Sequence, residues 1–129
     1  MIGYGKEEII FEKIMKTKYN IPQKELDFVI RRDIDCVYCH KKWGKDKCDS
    51  ISIEHLNHKL EWDSVRSFIQ ENKPVREIIA LCCGSCNSSR GSKSLRSWFN
   101  TPYCIRNKIT SSNVALVVKK YLDEYEKVE

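Results

Sequence analysis

Apolar residues recur at helical spacing towards both ends of the chain. In the segment 7–18 they lie four positions apart, which predicts a helix. The segment PQKELDFVIRR predicts a second helix, because Pro22 suits a first turn and the apolar residues after it form one stripe. Near the other end, SSNVALVVKKYLDEYEK has the clearest amphipathic pattern, with Ser111 or Ser112 available as its N-cap residue.

Two short segments between these helices have the pattern of β-strands. Polar and apolar residues alternate in SISIEHL, and REIIALCC is a short apolar run suited to a buried strand. The connection EWDSVRSFIQEN predicts a short helix that Pro74 would end, and KKWGKDKCDS predicts a loop. After the second strand, Leu95, Trp98 and Phe99 lie at helical spacing. Since no internal repeat or linker interrupts this order, the sequence predicts one α+β domain.

Composition limits the class of protein. The chain has 129 residues, of which 41% are hydrophobic and 32% are charged, as expected for one globular domain. No apolar run approaches the ~18 residues that a membrane span needs, so we expect no membrane partner. Glu7, Glu8 and Glu12 stand where a secretory signal has an uninterrupted apolar core, and we therefore expect a cytoplasmic protein.

Four of the seven cysteines form two close pairs, Cys36-x-x-Cys39 and Cys83-x-x-Cys86. In a reducing compartment, clustered cysteines favour metal binding over disulfide formation. Two such pairs fit a tetrahedral zinc site that ties distant segments together, and four thiolates leave no open position for water. We therefore expect a structural zinc. Cys82 stands beside Cys83, but only Cys83 keeps the two-residue gap to Cys86.

Basic residues are concentrated in the segment 78–122, which contains no Asp or Glu. The segment holds seven of them: Arg90, Lys93, Arg96, Arg106, Lys108, Lys119 and Lys120. A basic segment that also carries the second cysteine pair favours a polyanionic partner, most simply nucleic acid. Charge alone leaves a solvated basic face open as the alternative.

Several of these elements together resemble the HNH endonuclease family. They are the early pair in CVYC, the dyad Glu54-His55 at the end of a predicted strand, and the apolar run into LCCGSC. Asn87 comes directly after the last cysteine and is followed by Arg90 and Gly91. The family has an Asp-His dyad followed later by C-x-x-C-N-x-x-K-G, which reads EHL and CGSCNSSRG in this chain.

The resemblance implies a fold as well as an activity. It covers residues 31–99 and implies a ββα-metal core held by the four-cysteine zinc. Helices over 1–30 and one helix over 100–129 would flank this core within a single domain of residues 1–129. The trailing SKSLRSWF is similar to the helix found in phage and restriction members of the family.

The implied activity is metal-dependent hydrolysis of DNA. His55 is the expected general base, since an imidazole with a pKa of ~6.5 can deprotonate water at neutral pH. Glu54 and Asn87 offer the hard oxygen ligands that one catalytic Mg²⁺ or Mn²⁺ prefers. The phosphates would be contacted by three basic residues near the second cysteine pair: Arg90, Lys93 and Arg96.

The chain departs from the family pattern at several positions. Glu54 replaces the usual Asp, Ile78 stands where the middle asparagine is expected, and His58 occupies a position where proline often follows the dyad. His58 is therefore a rival base to His55. The alternative function is a zinc-stabilised nucleic-acid-binding module without catalysis. Restriction, homing and phage DNA processing all stay open, and so does a homodimer, which a double-strand cut often uses.

Overall fold

The computed structural model describes residues 21–43, 50–57 and 67–127. The predictions for the helix 7–18, for most of the loop KKWGKDKCDS and for His58 concern residues outside these ranges.

The described chain combines helices with a small two-stranded sheet, so the predicted α+β class is confirmed. The elements are α1 (Gln23–Arg32), β1 (Ile51–His55), a 3-10 helix (Val75–Glu77), β2 (Ile79–Cys83), α2 (Gly84–Arg90), α3 (Leu95–Phe99), α4 (Pro102–Asn107) and α5 (Leu116–Tyr125). Residues 67–70 are also helical, and that helix ends before Pro74 as predicted.

Strands β1 and β2 pair antiparallel to form a two-stranded sheet. The register runs from Ile51 opposite Cys83 to His55 opposite Ile79. Helix α2 begins directly after β2 and packs against both strands. The described chain therefore contains a strand, strand and helix in the order that the resemblance implies.

One face of the hairpin packs against α1. Ile53 of β1 and Leu81 of β2 join a buried apolar cluster with Leu26 and Val29, the buried residues of α1. This is the apolar stripe that the sequence predicts for the helix. Ile78, at the position of the expected asparagine, lies in the same cluster, and its carbonyl accepts a hydrogen bond from the Leu56 N–H at 2.8 Å.

The opposite face of the hairpin packs against the C-terminal half of the chain. Ala80 and Cys82 point into a second cluster that contains Trp98 of α3 and Val118 and Leu122 of α5. Trp43 contacts both clusters, and its indole N–H donates to the Asp33 carbonyl at 3.2 Å. It is thus a packing residue.

Side chains from the end of α1 cover the outer edge of β2. The buried Asp33 carboxylate accepts from the Leu81 N–H at 2.9 Å, and Arg32 donates to the Ile79 carbonyl at 3.0 Å. The Val37 N–H donates to the Leu81 carbonyl at 3.2 Å. These groups form the hydrogen bonds that a third strand would otherwise make with β2. The edge of the two-stranded sheet is therefore protected from pairing with another strand.

The segment 100–129, predicted as one helix, contains two. Pro102 begins α4 at a position where its missing N–H costs nothing. The second helix begins at Leu116 with Ala115 as its N-cap residue, so the predicted caps Ser111 and Ser112 are wrong. They lie in the turn that precedes the helix, where Asn113 donates to the Thr110 carbonyl.

No helix in the described ranges is long and apolar enough to cross a membrane.

Candidate functional site

The four cysteines of the two predicted pairs come together in the structure. Cys36 and Cys39 lie in a turn that the Cys36 N–H closes by donating to the Lys41 carbonyl at 3.1 Å. Cys83 ends β2, and Cys86 lies in the first turn of α2. Their Sγ atoms all lie within 4.8 Å of one another.

The spacing of these sulfur atoms fits a zinc ion. The Sγ atoms of Cys36 and Cys86 are 3.8 Å apart, and those of Cys39 and Cys83 are 3.7 Å apart. A tetrahedron with Zn–S bonds of about 2.3 Å has edges of about 3.8 Å. The cluster is therefore compatible with a structural zinc held by four thiolates.

The structure also decides which cysteines take part. Cys83 is in the cluster, whereas the neighbouring Cys82 points to the opposite face of the strand and pairs in register with Ser52. Burial raises the pKa of Cys82, so it stays a neutral thiol. Cys104 is buried in α4 outside the cluster. Cys83, and not Cys82, therefore lies in the cluster that could hold a metal ion.

The Glu54 side chain lies inside the protein. It is 6% exposed; one carboxylate oxygen accepts from the Tyr38 hydroxyl, and the other lies 3.4 Å from Nη1 of Arg90. Burial raises the pKa of this carboxyl group to about 7, although Arg90 opposes the shift. A cation at Glu54 would have to replace Tyr38 or Arg90, so the predicted magnesium role is not met in this arrangement.

The prediction that Arg90 contacts DNA is corrected by the structure. The residue is 1% exposed, and Nη2 donates to the Leu56 carbonyl at 2.5 Å. Its Nε donates to the Lys93 carbonyl at 2.9 Å. A buried guanidinium cannot reach DNA phosphates, but it ties the end of α2 to the end of β1 and neutralises Glu54.

His55 is the last residue of β1 and is partly exposed. Regular pairing continues through both members of the dyad, with Glu54 opposite Ala80 and His55 opposite Ile79. Side chains therefore alternate as in any strand, and His55 shares a face with Ile53 rather than with Glu54. The strand ends at His55 as the sequence predicts, but the two side chains of the dyad do not converge.

The remaining predicted residues lie on the C-terminal side of β2. Asn87 is partly exposed on α2, directly after Cys86 of the cysteine cluster. Lys93 is exposed, and its ammonium lies 3.4 Å from the Ser89 carbonyl. Arg96 is partly buried, and its Nε donates to the backbone carbonyl of Glu126. Of the three basic residues assigned to DNA, only Lys93 is therefore exposed.

Tyr38 is a site residue that the sequence did not reveal. It stands between the first two cysteines, is fully buried, and donates its hydroxyl to Glu54 while its ring packs edge-on against Trp98. Its place inside CVYC was the only signal, and a tyrosine between two cysteines does not by itself indicate a partner.

Comparison with protein-family models, with curated proteins and with solved structures finds no match to this chain.

Proposed function

We propose that this protein is a zinc-stabilised, metal-dependent DNA endonuclease of the HNH type, with His55 as the general base. The observation that carries the proposal is the environment of His55. It ends β1, is partly exposed, and has its Nδ1 3.0 Å from the Asn57 carbonyl oxygen.

This contact selects one form of the imidazole. A carbonyl oxygen can only accept a hydrogen bond, so Nδ1 must carry the proton and the lone pair of neutral His55 lies on Nε2. A neutral imidazole with its lone pair on Nε2 is the form that a general base needs. His55 can therefore take a proton from an attacking water at Nε2 while Asn57 holds the ring.

The order of the elements supports the same proposal. The hairpin of β1 and β2 runs directly into α2, and the cysteine cluster fixes the point where β2 meets α2. Asn87 follows the last zinc ligand, so the metal also fixes the turn of helix that bears this amide. These features agree with the resemblance over residues 31–99.

The proposal includes one catalytic Mg²⁺ or Mn²⁺. When bound, such a cation stabilises the charge that develops on the phosphate and the leaving oxygen. Asn87 is partly exposed and has an oxygen donor of the kind that Mg²⁺ prefers. Glu54 would become a second ligand only by giving up a partner, and in the present arrangement its contribution is to hold Arg90.

A zinc-stabilised nucleic-acid-binding module without catalysis is the second candidate. The observation that favours it is the same engagement of Glu54 by Tyr38 and Arg90, since a binding module needs no oxygen ligand for a cation. The two candidates share the zinc and the nucleic-acid partner, and they differ only in cleavage.

Cleavage of supercoiled plasmid with and without added Mg²⁺ separates the two functions. His55→Ala should lower the rate by ~10²–10⁴-fold, while zinc content and DNA affinity stay at the wild-type level. His40→Asn is the matched control: it removes the other described imidazole, and asparagine tolerates the positive φ of that residue.

Each outcome assigns the base or rejects catalysis. If His58→Ala abolishes cleavage and His55→Ala does not, the base is His58. If the wild-type protein binds DNA but never cuts it, the binding module is the correct function. Asn87→Ala activity that recovers at high Mg²⁺ or with Mn²⁺ would support a metal-binding amide.

A further inference from the structure

The outer face of α1 carries a basic and aromatic surface that the charge pattern did not single out. Lys24, Phe28 and Arg31 recur at positions i, i+4 and i+7, on the side of the helix away from the buried Leu26 and Val29. All three outer residues are exposed, and Phe28 is 41% exposed.

These residues line one open depression of about 740 Å³ together with two further guanidinium groups. We call it the α1 face, and its lining is Lys24, Asp27, Phe28, Arg31, Arg32 and Arg76. Four of the six residues are basic, and one is acidic. The Asp27 carboxylate accepts a hydrogen bond from Gln23 at 2.7 Å, so this group is turned along its own helix.

Two of the four cations are held by the fold. Arg76 pairs with Glu25 at 2.5 Å, and its guanidinium lies 4.0 Å from the centroid of the Phe28 ring. Arg32 pairs with Asp33 at 2.7 Å. Arg76 thus supports one side of the Phe28 ring, and Arg31 has no ion pair with any residue in the described ranges.

The α1 face lies at the same end of the sheet as His55. Arg32 donates to the Ile79 carbonyl at 3.0 Å, and Ile79 is the residue that pairs with His55. Alternation along β1 also directs His55 to the face of the hairpin on which α1 packs, the face of Ile53. Paired Cα atoms in an antiparallel sheet are about 5 Å apart, so this surface begins one strand away from His55.

We propose that the α1 face binds the sugar-phosphate backbone of the DNA substrate beside His55. Lys24 and Arg31 lie two helical turns apart, about 10 Å along the axis, and can contact different phosphates of one strand. The exposed part of the Phe28 ring offers a surface for an unpaired base. This inference rests on the proposed function, and it replaces Arg90 and Arg96 as the main phosphate contacts.

Binding of a fluorescein-labelled duplex and its single strand, measured over a range of salt concentrations without added Mg²⁺, tests the inference. Lys24→Ala/Arg31→Ala should lower the slope of log K against log salt by about two and weaken binding on the order of 10- to 100-fold at 0.1 M salt. Arg106→Ala/Lys120→Ala is the matched control, because it removes one exposed arginine and one exposed lysine from α4 and α5.

The aromatic part has its own comparison. Phe28→Ala should weaken binding of the single strand, whereas Phe28→Tyr, which keeps the ring, should not. Equal binding of the single strand by both variants would show that the Phe28 ring takes no part in DNA binding.

The outcomes separate this inference from the proposed function. Two results would show that the α1 face is the wrong surface: a wild-type salt slope in the Lys24/Arg31 variant, or an equal loss of affinity in the control variant. If the wild-type protein still cuts DNA in that case, the endonuclease proposal stands. If the wild-type protein binds no DNA, both fail. In the cleavage assay, the Lys24/Arg31 variant should need a higher DNA concentration to reach half of its maximal rate, because it lacks two phosphate contacts.

Discussion

Removing one zinc ligand should unfold the region around the metal, and two adjacent cysteines make a sharp test. Cys83→Ala deletes a ligand, whereas Cys82→Ala deletes a sulfur atom from the same strand outside the cluster. Both residues are almost completely buried. Differences between the variants therefore report on the metal and not on burial.

The size of the effect follows from the chain that the cluster closes. Cys39 and Cys83 are 44 residues apart, and closing a loop of that length with a covalent cross-link contributes about 4 kcal/mol. A domain has a total unfolding free energy of about 5–15 kcal/mol. Cys83→Ala should therefore remove a large share of the stability, while Cys82→Ala should cost about 1 kcal/mol, as an ordinary core substitution does.

Urea denaturation and metal analysis measure the two effects separately. Wild-type protein and Cys82→Ala should contain one zinc per chain, and a chelator should lower their denaturation midpoints towards that of Cys83→Ala. Cys104→Ala, another buried cysteine outside the cluster, should behave like Cys82→Ala. A Cys82→Ala protein without zinc beside a fully loaded Cys83→Ala protein would refute the ligand assignment.

Two further predictions concern the buried pair of Glu54 and Arg90. Arg90→Met should lower the unfolding free energy by about 3–5 kcal/mol at pH 8, because a buried carboxylate loses its partner, and adding Glu54→Gln should restore part of the loss in urea denaturation. The folded protein also binds the Glu54 proton more tightly than the unfolded chain, since burial raises the pKa to about 7 from an ordinary 4.5. The stabilisation that this group contributes is complete below pH 4.5 and is lost as the pH rises to 7. The unfolding free energy of Glu54→Gln should therefore rise by about 3 kcal/mol relative to that of the wild type between these pH values. A difference that does not change with pH would refute the pKa shift.

Local sequence patterns predicted the elements in which burial follows a regular period along the chain. The stripe of α1 is buried on one side only, and the alternation in β1 matches a strand with two different faces. The spacing of the cysteines predicted their cluster because a tetrahedral metal needs little more than two short pairs.

Two of the errors arise where the fold brings distant segments together, and one arises from a local turn. Arg90 looked like a surface cation because its partners, Glu54 and the Leu56 carbonyl, lie more than 30 residues away in the chain. The sequence does not single out the basic residues of α1, because acidic residues alternate with them. Only the fold shows that Glu25 forms an ion pair with Arg76. The cap of α5 was misplaced because the serines form a turn of their own before the helix.

Glu54 and His55 have separate roles in the proposed site. Helix α2 has only seven residues, too few to be stable alone, so it depends on its two anchors. Cys86 holds its first turn to the cysteine cluster, and Arg90 holds its last turn to Glu54 and to the Leu56 carbonyl. Asn87 lies between these anchors. The acidic member of the dyad therefore fixes the helix that carries the amide. The imidazole lies on the opposite side of the strand, the side on which α1 packs.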